Sequence, residues 1–254
     1  MRPRRLLVPL FILLCVLSQA AEPVGVYELR TYTTEPGKLE ALLARFRDHT
    51  LGLFARHGLT SLGYWVPLDP KDGAGHKLVY LLAFPSRAAA ATAWKEFRAD
   101  PEWQSVRAAS EANGKIVVQV DSVFLTAADY SPAIKTSQST SPRVFELRTY
   151  TTPGGGLPAL DARFGSGETE LFANAGMTGV FFTHPLDLDQ GAGHTLIYLL
   201  AHANREAAAA SWQRFRTDPI WVKMKADSEK AAGGPLTTKT ESMFLAPVDF
   251  SPIR

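Results

Sequence analysis

Two hydrophobic periods alternate along this chain, and the alternation happens twice. Residues 25–34 read as a strand, with side chains pointing to opposite faces in turn. Residues 38–57 instead place Leu39, Leu42, Leu43, Phe46, Thr50, Leu53, Phe54 and His57 at helical spacing, and Gly58 follows where a helix-ending glycine belongs. Strand-like runs at 60–67 and 77–84, joined by the turn-rich DPKDGAG, predict a hairpin. Ser86 is placed to cap a further helix. Asp100 with Pro101 then marks a break and the start of a short helix, before a last strand at 115–125.

Shifting the chain by about 118 residues overlays it on itself. YELRTYTT at 27–34 meets FELRTYTT at 145–152, and GAGH at 73–76 meets GAGH at 191–194. Trp94, Phe97, Arg98, Asp100, Pro101 and Trp103 meet Trp212, Phe215, Arg216, Asp218, Pro219 and Trp221. The closing SP motif recurs with the offset grown by two residues. Each unit is domain-sized, and the expected division is a first domain at 24–128, a linker at 129–142 rich in Ser, Thr and Pro, and a second domain at 143–254. The order β-α-β-β-α-β predicts an α+β fold of two ferredoxin-like units. The strand KLVYLLAF at 77–84 is apolar on both faces, so water is a poor second neighbour for its sheet. Packing the two sheets against each other satisfies both and closes a barrel-like core inside one chain.

Composition and charge change this picture in two places. Residues 1–20 carry Arg2, Arg4 and Arg5, then an apolar run, then SQA, the layout of a cleaved signal peptide. The run is short for a permanent membrane anchor, so export to the periplasm or the medium is the expectation. The only cysteine, Cys15, lies in that leader, which removes disulfides and thiolate metal sites from the mature chain. The 27 basic and 25 acidic residues become a slightly acidic balance once the leader arginines are gone, which gives no support to nucleic-acid binding.

The YELRTY opening, the W..F..DP.W run and the duplicated element order resemble NIPSNAP-domain proteins, over nearly all of the chain outside the leader. The resemblance implies membership of the dimeric α+β barrel group, with the paired domains supplied here by duplication. That group also holds monooxygenases of the antibiotic-biosynthesis type and haem-containing relatives. It implies little about activity, because NIPSNAP domains generally lack an established reaction.

The chemistry-bearing candidates cluster on the repeated first strand. Glu28, Arg30 and Tyr32 share one face, as do Glu146, Arg148 and Tyr150. A buried ion pair is costly to desolvate and needs a reason. Either the charges satisfy each other structurally, or Arg30 holds an anionic or polar ligand while Glu28 fixes its guanidinium and Tyr32 donates a hydroxyl. His76 and His194, at the exits of the GAGH turns, and Tyr80 and Tyr198, in the strands beside the first, complete the candidate set; the plainer readings are an ordinary polar histidine at a strand edge and a tyrosine packed in the core with its hydroxyl satisfied. The GAGH turn precedes a strand, so it is not a phosphate loop. No second His, Asp or Glu stands at metal-ligand spacing, and no cofactor fingerprint or nucleophile–base set is visible. The copies diverge at FRDHT (46–50) against FGSGE (164–168), where glycines weaken the second helix. The expected role is binding of a small organic or anionic molecule, or of a protein partner. The alternatives are a cofactor-independent, monooxygenase-like enzyme acting on an aromatic substrate, and a purely structural module. The tandem unit is also a candidate for homo-oligomers.

Overall fold

A computed structural model of the chain describes residues 25–136 and 143–254; the leader expected at 1–20 lies outside the described residues, as does the 137–142 part of the expected linker. The first copy runs β1 (Val26–Thr34), α1 (Leu39–Arg45), α2 (Leu51–Arg56), β2 (Thr60–Pro67), β3 (Lys77–Phe84), α3 (Arg87–Ala99), α4 (Pro101–Ser110) and β4 (Val117–Ala127). The second repeats it as β5 (Val144–Thr151), α5 (Leu157–Arg163), α6 (Thr169–Asn174), β6 (Thr178–Pro185), β7 (Thr195–His202), α7 (Arg205–Thr217), α8 (Pro219–Ala232) and β8 (Lys239–Pro247). The local punctuation acts as the residues dictate. Ser86 accepts from the Ala89 N–H at 3.1 Å and Asn204 from Ala207 at 2.7 Å. Asp100 and Asp218 cap the helices that Pro101 and Pro219 open. Gly58 takes a φ of 75° just past α2.

The helix expected over 38–57 is not continuous. A π-helical turn, Phe46–Thr50, separates α1 from α2. In the second copy the matching stretch, Phe164–Glu168, breaks the helix at Gly167, whose φ of 127° is not helical. The extra residue per turn keeps Phe46 and Thr50 buried together, and Thr50 Oγ1 donates back to the Arg45 carbonyl at 3.0 Å, which suits the wider spacing.

The eight strands form one closed barrel in the order β1-β3-β2-β8-β5-β7-β6-β4. The barrel-like core expected from packing the two sheets inside one chain is present, and its edges are hydrogen-bonded across the copies. β2 pairs with β8 through Trp65–Pro247, Val66–Ala246 and Pro67–Leu245, and β4 pairs with β6 through Leu125–Pro185, Thr126–His184 and Ala127–Thr183. Closure removes the four edges that two separate sheets would leave open. The lumen is a shared core in which Leu29, Trp65, Leu81 and Leu125 meet Phe145, Phe181, Leu199 and Leu245. The outer face of each half packs under its own helices in a separate core, around Tyr80 and Trp94 in one copy and Tyr198 and Trp212 in the other. Gly63 sits at a bulge in β2 where any Cβ would strike the Trp65 ring at 2.1 Å, so this corner of the barrel needs glycine.

Each copy's tail closes the other copy. The stretch from Asp129, which reads as linker by composition, carries Tyr130 into the second copy's core, and Phe182 N–H donates to Ser131 Oγ at 2.9 Å. Reciprocally, Phe250 packs on the first copy's core and Tyr64 N–H donates to Ser251 Oγ at 2.9 Å. Among the described residues no helix is long and apolar enough to cross a membrane.

Candidate functional site

Strand register builds the site. Glu28 and Arg30 point from β1 toward the helix layer, away from the lumen, because Leu29 between them faces the shared core. Arg30 lies opposite Tyr80 on β3 and opposite Ser122 on β4. Arg30 Nε accordingly donates to Tyr80 Oη at 2.9 Å, and Ser122 Oγ donates to Glu28 Oε1 at 2.6 Å. Arg30 Nη1 donates to the same carboxylate oxygen. From above, α3 brings Trp94, whose indole N–H donates to Glu28 Oε2 at 2.6 Å while its ring lies 4.3 Å from the Arg30 guanidinium carbon. Glu28 is 1 % exposed and fully engaged. Burial works against the Arg30 charge, but Tyr80, Tyr32 and Glu28 more than offset it, so the guanidinium titrates above its ordinary range. Burial likewise pushes the Tyr80 hydroxyl well up, and it stays a neutral hydroxyl.

Arg30 is held with one edge outward. Its Nη2 makes no hydrogen bond among the described residues and faces a cleft of about 330 Å³ between α3, α4 and β4. Tyr32, Trp94, Phe97 and Trp103 wall the cleft with rings, and Val118 and Val120 add an apolar strand edge that is 42 % and 45 % exposed. Arg45, Arg98, Arg107 and Lys115 join Arg30 there, against the single lining carboxylate of Glu111. Arg45 is itself buried, with Nη1 3.2 Å from Glu111 and its Nε without a hydrogen-bond partner. The result is a ring-lined, cationic slot suited to an anionic head on an apolar body.

The candidates from sequence separate into two groups. Glu28, Arg30, Tyr32 and Tyr80 are brought together, with Tyr80 sealed behind Arg30 and the Tyr32 ring 5.2 Å from that of Tyr80. His76 is not among the cleft residues. It sits exposed at the hairpin exit, where its backbone carbonyl accepts from Thr34; His194, half-buried, repeats the carbonyl contact with Thr152. Sequence reading missed Arg45, Arg98, Arg107, Lys115, Val118, Val120 and Ser122. A serine across from the arginine in both copies was the one available signal, because a buried Glu28 needs a second donor.

The second copy keeps the anchor and changes the slot. Arg148 Nη1 donates to Glu146, Arg148 Nε to Tyr198 Oη at 2.9 Å, and Trp212 and Ser242 donate to Glu146 at 2.7 and 2.6 Å. Tyr150 Oη accepts from Arg148 Nη2 at 3.3 Å. His202 stands where the first copy has Phe84, with Nε2 at 3.1 Å from Glu146. Register aligns Thr240 with Val120, since each lies opposite the strand tyrosine. The equivalents of Val118 and Lys115 are Thr238 and Pro235. The apolar wall and one cation are therefore specific to the first copy.

His202 also changes the acid behaviour. Burial pushes the Glu146 carboxyl up, yet the His202 contact, the Arg148 charge and the Ser242 and Trp212 donors outweigh it and hold the group at about 2, against 4.5 for a free glutamate. A depressed folded-state pKa gives stability that is complete above about 4.5 and lost as pH falls toward about 2. The variant His202→Phe is expected to lose less stability across that window than the wild type, read as urea midpoints at the two ends. Equal losses in the two proteins would remove His202 as a cause.

The same chain matches the NIPSNAP family twice, over residues 27–132 and 145–252. It belongs to the NIPSNAP family. Comparison with curated proteins gives no match. Among solved structures, this NIPSNAP chain is similar to a proposed monooxygenase from Lactobacillus acidophilus NCFM, at 11 % identity over 89 % of this chain and 94 % of that one, with a TM-score of 0.55. A proposed monooxygenase from Fusobacterium nucleatum is 8 % identical over 89 % and 93 %, with a TM-score of 0.58. An anthrone oxidase-like protein is 16 % identical over 92 % and 96 %, with a TM-score of 0.54. At these identities the likeness concerns the fold, which is a tandem dimeric α+β barrel.

Proposed function

We propose that this NIPSNAP protein is an exported binder of small organic anions, and that the first copy's cleft takes an aromatic or apolar ring bearing a carboxylate. The observation that carries the reading is the juxtaposition of Arg30, braced by a buried Glu28 with Nη2 left outward, and the two exposed valines beside Trp94 and Trp103. A charged donor alone serves many structural networks; a charged donor at the base of a ring-lined slot with a hydrated apolar wall has a ligand's shape. The leader pattern in residues 1–20 supports export.

A calorimetric titration with benzoate, naphthoate and an uncharged naphthamide tests it. Naphthoate is expected to bind the wild type tightest and the amide at least tenfold more weakly, since a hydrogen bond to a charged group contributes about 1.5–3 kcal/mol. Val120→Thr, which installs the second copy's residue, and Lys115→Ala are expected to weaken naphthoate several-fold, whereas Arg148→Met leaves it unchanged. If Arg148→Met weakens binding as much as the first-copy variants do, or no arylcarboxylate binds, the assignment to this cleft fails. Oxygen uptake on adding a hydroxylated aromatic would move the reading to the oxygenase-like alternative.

A further inference from the structure

We propose that the second copy holds a seat for a guanidinium group supplied from outside the fold, at the cleft beside Tyr130. The first copy shows what such a seat looks like when filled. There Arg47, on the π-helical turn, makes a bidentate pair with Asp249 in the incoming tail, Nε and Nη2 at 2.8 and 2.9 Å, and its guanidinium carbon lies 5.6 Å from the Phe250 ring centroid. The second copy reproduces the receiving half. Its incoming tail reads ADYSP where the other reads VDFSP, so Asp129 and Tyr130 stand for Asp249 and Phe250. Tyr130 docks in the same way, 5.8 Å from Phe182, as Phe250 lies 5.4 Å from Tyr64. The donor is missing, because Gly165 occupies the position of Arg47.

Nothing in the backbone demands that glycine. Gly165 is not in the left-handed region, and a Cβ there would meet Tyr130 Cδ1 at an ordinary 3.7 Å. The space left is an open cleft of about 590 Å³ lined by Asp129, Tyr130, Asp161, Gly165 and His184. Two neighbours have also turned polar. Asp161 replaces Leu43 and His184 replaces Val66. Tyr130 Oη donates to Asp161 Oδ1 at 2.7 Å, and His184 Nε2 lies 3.2 Å from the same oxygen with Nδ1 3.2 Å from the Thr195 carbonyl. Both histidine nitrogens are thus used within the fold. Asp161 Oδ2 and the Asp129 carboxylate make no hydrogen bond among the described residues, which leaves acceptors in the same cleft as the Tyr130 ring. A planar fork that pairs with a carboxylate edge-on and stacks on an aromatic ring fits this set better than a compact ammonium does.

The test is NMR titration of the whole protein with methylguanidinium, with N-acetyl-arginine amide, and with methylammonium. Both guanidinium compounds are expected to give saturable shifts around Tyr130, and methylammonium at least several-fold weaker ones. Equal affinity for the two guanidinium probes indicates a free small-molecule ligand, and tighter binding of the arginine amide indicates an arginine side chain of a polypeptide. Gly165→Arg rebuilds the internal clamp and is expected to abolish the response; Asp129→Asn, at an exposed position that does not threaten folding, is expected to weaken it at least tenfold. An absent response in the wild type, an equal response in Asp129→Asn, or methylammonium binding as tightly as methylguanidinium would overturn the proposal.

Discussion

Replacing Glu28 with alanine is expected to destabilise the protein by about 3–5 kcal/mol, the usual cost of removing one partner from a buried ion pair. The carboxylate is 1 % exposed and receives Arg30, Ser122 and Trp94 together. Its loss leaves a guanidinium beside the Trp94 ring with no counter-charge, an indole N–H with no acceptor and a serine facing an apolar void. Unrecovered desolvation of an orphaned donor, roughly 1–3 kcal/mol, is part of that cost. The arginine side is milder, because Arg30 retains 14 % side-chain exposure and reaches the cleft. The double variant Glu28→Ala with Arg30→Met is therefore expected to cost less than the two single changes summed, by a coupling of about 1–3 kcal/mol. Urea midpoints followed by fluorescence and circular dichroism check both numbers. A cost for Glu28→Ala below about 1 kcal/mol, on the scale of an exposed ion pair, would show that the network is ornamental.

How far the sequence reached follows from which physical constraints are local. The element order, the caps at Ser86 and Asp100 and the repeat were legible because periodicity and capping act over a few residues. The grouping of Glu28, Arg30 and Tyr32 was legible for the same reason, since a strand assigns faces by parity. What the sequence hid depends on distant chain. The slot around Arg30 is completed by Arg45 from α1, Arg107 from α4 and Val120 from β4, and no local pattern says that these meet. The first copy's π-helical turn was hidden because Phe46, Thr50, Leu53 and Phe54 fit an unbroken helix equally well, whereas the second copy's break at Gly167 falls in the glycine-rich stretch the sequence marks as weak. His76 and His194 drew notice for their chemistry alone, and their hairpin exits carry them away from the slot. The tail exchange was masked by composition: Asp129, Tyr130 and Ser131 look like linker until Phe182 N–H and the second core are seen to claim them.

Cutting the chain into its copies is expected to have the largest effect of all. A fragment of residues 25–136 would expose the β2 and β4 edges that now pair at Trp65–Pro67 and Leu125–Ala127. It would also uncover the lumen side of Leu29, Trp65, Leu81 and Leu125 and lose the Phe250 lid over Tyr64. Each large side chain returned to water costs about 1.5–3 kcal/mol, so a handful cancels the roughly 5–15 kcal/mol that holds a domain folded. A folded monomer of one copy is therefore not expected. The fragment does carry its own ADYSP tail and both edge strands, and the pairing rules that join β4 to β6 are nearly satisfied by β4 with a second β2, because Val66 stands where His184 does. Light scattering is expected to find its soluble fraction as homodimers, and mixing it with a 143–254 fragment to yield one-to-one complexes with the near-ultraviolet dichroism of the intact chain. The halves would fail to depend on each other if the 25–136 fragment stayed monomeric with a cooperative unfolding transition, and the closed barrel would then be a consequence of tethering rather than the source of the fold's stability.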